Sequence, residues 1–156
     1  MRYFVSVLVA LAWALWFGGL ITLFLVVTQL SQTFPAPRRN IFGEAGSATF
    51  IMFERYQLII GAIALIAAFA LRLMNPSAIG TALFTLLALA AVGGLVSPLV
   101  VTPKIEALRR AGETESPEFR KLHGRSMMIY SSDALILLAA GALMPAAMRR
   151  PTEPRG

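Results

Sequence analysis

The chain has no cysteine. That removes disulfides, thiolate metal sites and thiol redox chemistry, and leaves the compartment open. It has one histidine, His123. A single imidazole does not supply both axial ligands of a haem within one chain. Charge is scarce: 14% of residues are Asp, Glu, Lys or Arg, against about a quarter in a soluble domain. Nucleophile elbows, phosphate loops, paired-cysteine sites and HExxH zinc motifs are absent.

What the chain does have is apolar. Of its 156 residues, 57% are hydrophobic, and the mean hydropathy is +0.71. These residues form four blocks, each long enough to cross about 30 Å of hydrocarbon at about 1.5 Å per residue. Lipid offers no partner to a free backbone N–H, so such blocks are helical. The sequence therefore predicts an all-α membrane protein, a four-helix transmembrane bundle forming a single domain over 1–156. The net charge of +6 and pI near 10.8 do not point to nucleic acid. The basic residues sit in loops and tails, where they hold helix ends at the headgroups, and they form no stripe on a soluble face. The lipid bilayer is the expected surrounding, with a second copy or another membrane protein as the possible protein partner.

The expected spans are 3–30, 53–74, 76–101 and 126–148, with an amphipathic loop over 102–125. The first block is too long for a signal-peptide core, and no small-x-small site follows it, so it reads as a retained span. Pro35, Pro37, Arg38 and Arg39 carry turn and interface chemistry, and 41–52 reads as a short interfacial helix. Asn75-Pro76 reads as a tight turn with Asn capping the next helix, and Pro98 predicts a bend. Thr102-Pro103 and Ser116-Pro117 each read as a cap followed by proline at the first helical position. Two short amphipathic pieces follow from this, separated at Gly112, with Ile105, Leu108, Phe119 and Leu122 on their apolar faces.

An internal duplication is one reading of two further matches. Gly18-Gly19-Leu20 recurs as Gly93-Gly94-Leu95, and AIALIAAFAL from Ala62 recurs as ALILLAAGAL from Ala134, at offsets of 75 and 72 residues. Two hairpins in parallel repeat give this pattern; so does chance between Ala/Leu-rich helices. Five Lys or Arg residues fall on the side of the termini and nine on the side of the two longer loops. The count places the long loops in the cytoplasm and the chain in a plasma (inner) membrane as a multi-pass protein.

Polar residues inside a span are costly and call for individual explanation. Measured inward from the long-loop side, they share one depth: Gln29 in the first span, Glu54, Arg55 and Gln57 in the second, Ser97 and Thr102 in the third, Ser132 and Asp133 in the fourth. His123 and Arg125 lie just before the fourth. The other half of each span is almost wholly apolar. The layer reads either as a small polar cavity or as an interface of snorkelling side chains. For Glu54 and Arg55 the interface is the preferred reading. Asp133 is expected to face the bundle, paired with Arg55, and Glu54 to pair with Arg125 or His123. His123 reads as a lone ligand, a proton carrier or, preferably, a surface residue. Met127 follows it by four residues on the same helical face, and a thioether with an imidazole suits Cu(I); methionine also fills gaps between helices.

Three motifs carry a family likeness: Phe119-Arg120-Lys121-Leu122-His123-Gly124-Arg125-Ser126, Arg39-Asn40-Ile41-Phe42-Gly43, and Pro103-x-Ile105-x-x-Leu108. With four spans and this length, the chain resembles the family of transmembrane protein 205 and its bacterial relatives, a domain of unknown function. The resemblance implies a four-helix membrane domain with no established chemistry. A mammalian member is linked to platinum-drug resistance, which points toward metal or solute handling. The family's Asn after the His-Gly-x-Ser motif is not present here; Tyr130 and Ser131 occupy that region.

The functional expectation is a non-enzymatic protein, without a cofactor, that binds or passes a small solute, ion or metal through the polar layer. The alternatives are a structural or assembly subunit contacting partner membrane proteins, and a membrane haem or quinone redox protein.

Overall fold

A computed structural model describes residues 1–33, 39–74 and 76–148, and the side chains of all of these but 39–42. The expected turn at Pro35 to Arg38, the Asn75 cap, the side chains of Arg39 to Phe42, and the basic tail from Arg149 lie outside the described set. The elements are α1 (Arg2–Thr33), α2 (Arg39–Met74), α3 (Ala78–Val96), a π-helical segment (Ser97–Val101), α4 (Thr102–Arg110) and α5 (Pro117–Met148). Four helices are long and apolar enough to cross a membrane, with α3, the π segment and α4 counting as one rod from Ala78 to Arg110.

The helices form a ring in which α1 and α3 each pack on both α2 and α5. Burial repeats every three or four residues. On α5 the buried stripe is Leu122, Ser126, Tyr130, Asp133, Leu137, Ala140, Met144 and Ala147; on α3 it is Gly80, Leu83, Leu87, Ala90 and Gly94, continued by Ser97 and Val101. That spacing is the knobs-into-holes period of a bundle. Leu11, Leu25, Ile59, Ile66, Leu89 and Leu135 lie exposed on the outside, as lipid-facing residues do. Because lipid is as apolar as leucine, close packing and hydrogen bonds hold such helices together.

The two indoles of α1 show how. Trp13 lies over Gly141 of α5 and donates from Nε1 to the Leu137 carbonyl at 2.7 Å. Trp16 lies over Gly61 of α2, where an added Cβ would stand 3.0 Å from its ring. Each glycine is a notch in a neighbouring helix, and α1 is fitted into one on either side.

Several boundaries differ from those the sequence predicts, each for a local reason. The stretch 41–52 is not a separate interfacial helix; α2 runs unbroken from Arg39. Ser77 caps α3, accepting from the Gly80 N–H at 3.0 Å. Pro98 does not simply bend its span. It lacks the N–H that would return to the Gly94 carbonyl, and the chain widens into a π turn that runs on into α4, with the Thr102 N–H on the Ser97 carbonyl. Thr102 is therefore no helix cap. Ser116 does accept from the Phe119 N–H at 3.1 Å, with Pro117 opening α5. The second amphipathic piece is the first turns of α5 itself. Between them α4 ends at Gly112, whose φ of +77° closes a turn with Glu113 N–H on the Leu108 carbonyl at 2.9 Å. Ile105, Leu108, Phe119 and Leu122 pack with Val101 and Ile129 in a small second core at this end.

Candidate functional site

Buried polar side chains cluster where the π segment meets α2 and α5. Glu54, Gln57, Ser97, Ser126 and Asp133 are all buried, with Glu54 and Asp133 each 3% exposed. They occupy core positions of their helices' buried stripes, so the period that points leucines inward elsewhere points these inward here.

Glu54 is the hub. Its Oε1 accepts from Ser97 Oγ at 2.9 Å, Thr102 Oγ1 at 2.6 Å and the Tyr130 hydroxyl at 2.8 Å. Ser97 Oγ and the Tyr130 hydroxyl stand 3.1 Å apart. Three helical elements and the π segment thus meet at one carboxylate oxygen. The π turn is what brings Ser97 and Thr102 to the same side. They are five residues apart, the span that one π-type i→i+5 hydrogen bond closes, here from the Thr102 N–H to the Ser97 carbonyl. Phe50 and Phe53 pack their rings against Tyr130 at 5.6 and 6.3 Å between centroids.

One turn deeper, Gln57 Nε2 donates to the Gly94 carbonyl at 3.3 Å. This is the carbonyl that Pro98 leaves without its usual partner, so a side chain supplies the donor the backbone lacks. Beside it the Asp133 carboxyl lies over Gly93, where an added Cβ would stand 2.6 Å from Oδ2. Among the described residues Oδ2 has no hydrogen-bond partner, and neither has the buried Trp16 Nε1.

Asp133 does not reach Arg55. Adjacent residues on a helix point about 100° apart; with Glu54 facing in, Arg55 faces out and is exposed. Among the described residues the only ion pair is Glu106 with Arg109 at 2.7 Å. Glu54 accordingly pairs with neither Arg125 nor His123. Arg125, Ser132 and Gln29 are exposed and lie outside the cluster. His123 is exposed as well, stacked on Phe119 at 6.2 Å. Tyr130 is the member that sequence reasoning missed. Its position in step with Ser126 and Asp133 along α5 was the signal available.

Against this cluster sits a pocket of about 310 Å³ at the long-loop end of the bundle. Thr102 belongs to both. Val27, Phe50, Ile105 and Met127 give it apolar walls; Ser47, Glu106, Arg109, His123 and Ser126 give it polar ones. Ser47 Oγ donates to Glu106 Oε1 at 2.5 Å, which also takes Arg109. Two glycines of α2, Gly43 and Gly46, complete the wall. A second recess of about 390 Å³, lined by Glu54, Arg55, Pro98 and Arg110, backs onto the same Thr102 and Glu106 from the other side. His123 and Met127 share the first pocket, but among the described residues no three His, Cys, Asp or Glu side chains come together as a metal site.

No curated protein and no solved structure matches the chain. A family does: the domain of unknown function DUF4149, over residues 11–114. The match runs from α1 through α4 and takes in the Glu54, Gln57, Ser97 and Thr102 part of the cluster; α5, which adds Tyr130 and Asp133, lies beyond it. By that match over two thirds of its length, the chain belongs to the DUF4149 family, and it is an integral, multi-pass membrane protein.

Proposed function

We propose that this protein is a non-enzymatic binder or carrier of a small solute, which it takes into the pocket at the long-loop end. The observation that carries the reading is the pair Gly43 and Gly46. Glycine inside a helix costs about 1 kcal/mol relative to alanine. Elsewhere in this bundle Gly61, Gly93 and Gly141 each receive a side chain from a neighbouring helix. Gly43 and Gly46 receive none, and unlike the exposed Gly18 and Gly124, which also meet no described atom within 4 Å, they are buried or half-buried and line the pocket. The helix is weakened there to keep space open. At about 310 Å³ the space is in the range of small-ligand sites.

The lining favours an organic solute with an apolar body and one polar group over a bare ion. Phe50, Ile105 and Met127 would meet the body. Ser126, His123 and the Glu106–Arg109 pair would meet the polar group. The motif shared with the transmembrane protein 205 family supplies His123 and Ser126, so that closer kinship, which we propose on the motif, falls on the same pocket. The count of basic residues supports a plasma membrane with the pocket opening to the cytoplasm.

Gly46→Leu tests the reading. A Cβ at position 46 meets no described atom within 4 Å, a leucine there extends into the pocket that Gly46 lines, and a helix glycine is removed. Its fold should be as stable as wild type or more so, while any small molecule carried through purification in lipid nanodiscs should be lost. Solvent extraction and mass spectrometry of both proteins compares them. Equal small-molecule content would refute the pocket.

A further inference from the structure

The recess of about 390 Å³ behind Thr102 and Glu106 lies between α2 and the rod formed by the π segment and α4. Arg55 lines it from α2 and Arg110 from α4, and both are exposed. Among the described residues neither arginine has an ion-pair partner; the one pair is Glu106 with Arg109. Glu54 lines the same recess from within the bundle. Its Oε1 takes three hydroxyls, while its Oε2 accepts no hydrogen bond from a described residue. Nor is Oε2 sealed in as Asp133 Oδ2 is. Two unpaired guanidinium groups and a half-used carboxylate therefore share one opening.

The depth of Arg55 sets the chemistry of what fills it. Arg72 follows Arg55 by 17 residues on α2, with no charged residue between them. At about 1.5 Å per residue that is about 26 Å, less than the about 30 Å of hydrocarbon. Arg72 is held over the Phe84 ring, 5.8 Å from its centroid. Arg55 thus stands where acyl chains give way to headgroups, and an arginine at that boundary takes an anionic partner. Lipid phosphate is the anion at that level, and a guanidinium grips it through parallel N–H bonds. Deeper along the same seam, Leu58 lines both the recess and an apolar groove of about 130 Å³ between α2 and α3, walled by Ala62, Leu65, Ala91 and Leu95. A charged chamber over an apolar slot has the form of a headgroup on a chain.

We propose that this seam holds one phospholipid whose headgroup carries a primary ammonium: its phosphate between Arg55 and Arg110, its ammonium on Glu54, and an acyl chain in the groove beyond Leu58. Both headgroup charges are needed. A phosphate alone leaves the open Glu54 oxygen without a donor and sets like charges side by side. A phosphate joined to an ammonium by an ethylene link answers Arg55 and Glu54 together, since these are neighbours in sequence and line one recess. A quaternary ammonium fits less well, having no N–H to give Oε2. The site lies across Thr102 and Glu106 from the solute pocket and does not rest on that reading.

Native mass spectrometry of the wild-type protein, released from micelles doped with phosphatidylethanolamine, phosphatidylcholine and phosphatidylglycerol of matched acyl chains, tests this. The ethanolamine lipid should stay bound, and the other two should be retained about tenfold less, since neither brings an ammonium N–H to Glu54. Arg55→Gln and Arg110→Gln, both at exposed positions, should each weaken retention of the ethanolamine lipid about tenfold. No difference among the three lipids, or a preference for the choline or glycerol lipid, would overturn the proposal on the wild-type chain alone. Unchanged retention in either folded variant would overturn it too.

Discussion

The Asp133 carboxyl lies over Gly93, one of three glycines on α3, and this makes Gly93→Ala a sharp perturbation. The new Cβ would stand 2.6 Å from Asp133 Oδ2 and 2.7 Å from Cγ. Separations under 3.0 Å are essentially never seen for real Cβ atoms, so something must move. Asp133 is 3% exposed and at the centre of its helix's buried stripe, which leaves the carboxyl little room. Overpacking of this kind costs about 1–3 kcal/mol. Against it, alanine gains about 1 kcal/mol of helix propensity over glycine. Alone, then, Gly93→Ala should destabilise by about 0–2 kcal/mol. With Asp133→Ala in place the clash is gone and only the gain remains, so the same change should stabilise by about 1 kcal/mol. The double-mutant cycle isolates the difference, a coupling of about 1–3 kcal/mol. Reversible unfolding in mixed detergent–SDS micelles, followed by tryptophan fluorescence, measures all four proteins. A coupling indistinguishable from zero would show that the Asp133 carboxyl is not seated over Gly93.

Two further outcomes follow from the same region and from the topology. Gln57→Leu should cost about 1–3 kcal/mol, the penalty for leaving a buried carbonyl unpaired. Pro98→Ala should recover part of that loss by restoring the backbone N–H, and equal losses in both backgrounds would refute the role given to Gln57. Reporter fusions at Gly112 and at Gly156 should give opposite signals across the membrane, since one long helix, α5, separates them; matching signals would rule out four crossings.

The four helices were legible because each apolar block exceeds what the membrane demands and no other backbone form satisfies itself in lipid. Depth was legible too: Glu54, Gln57, Ser97 and Asp133 stand out as polar letters in apolar runs. Direction was not. A pairing of Asp133 with Arg55 follows from depth alone. Only the rotation of α2, fixed by packing along its whole length, decides that Glu54 turns in and Arg55 out. The reading of Thr102 as a cap failed for a related reason. Proline normally starts or stops a helix, and nothing local shows that Pro98 sits inside a π turn that runs straight on into the helix holding Pro103. The stretch 41–52 read as a separate interfacial helix because its composition is mixed, and composition does not show that the helix of the next span already runs through it.

The seating of Trp13 bears on how the molecule is made. The first helix leaves the ribosome carrying two indoles that need notches. Gly61 arrives with α2, but the Leu137 carbonyl comes only with α5, 124 residues after Trp13, and Gly141 follows it. Until α5 is inserted, one side of the ring stands open and the Trp13 N–H lacks its Leu137 acceptor. Closure of this ring thus waits for α5, and a nascent chain that stalls before Gly141 leaves an unclosed groove along α1.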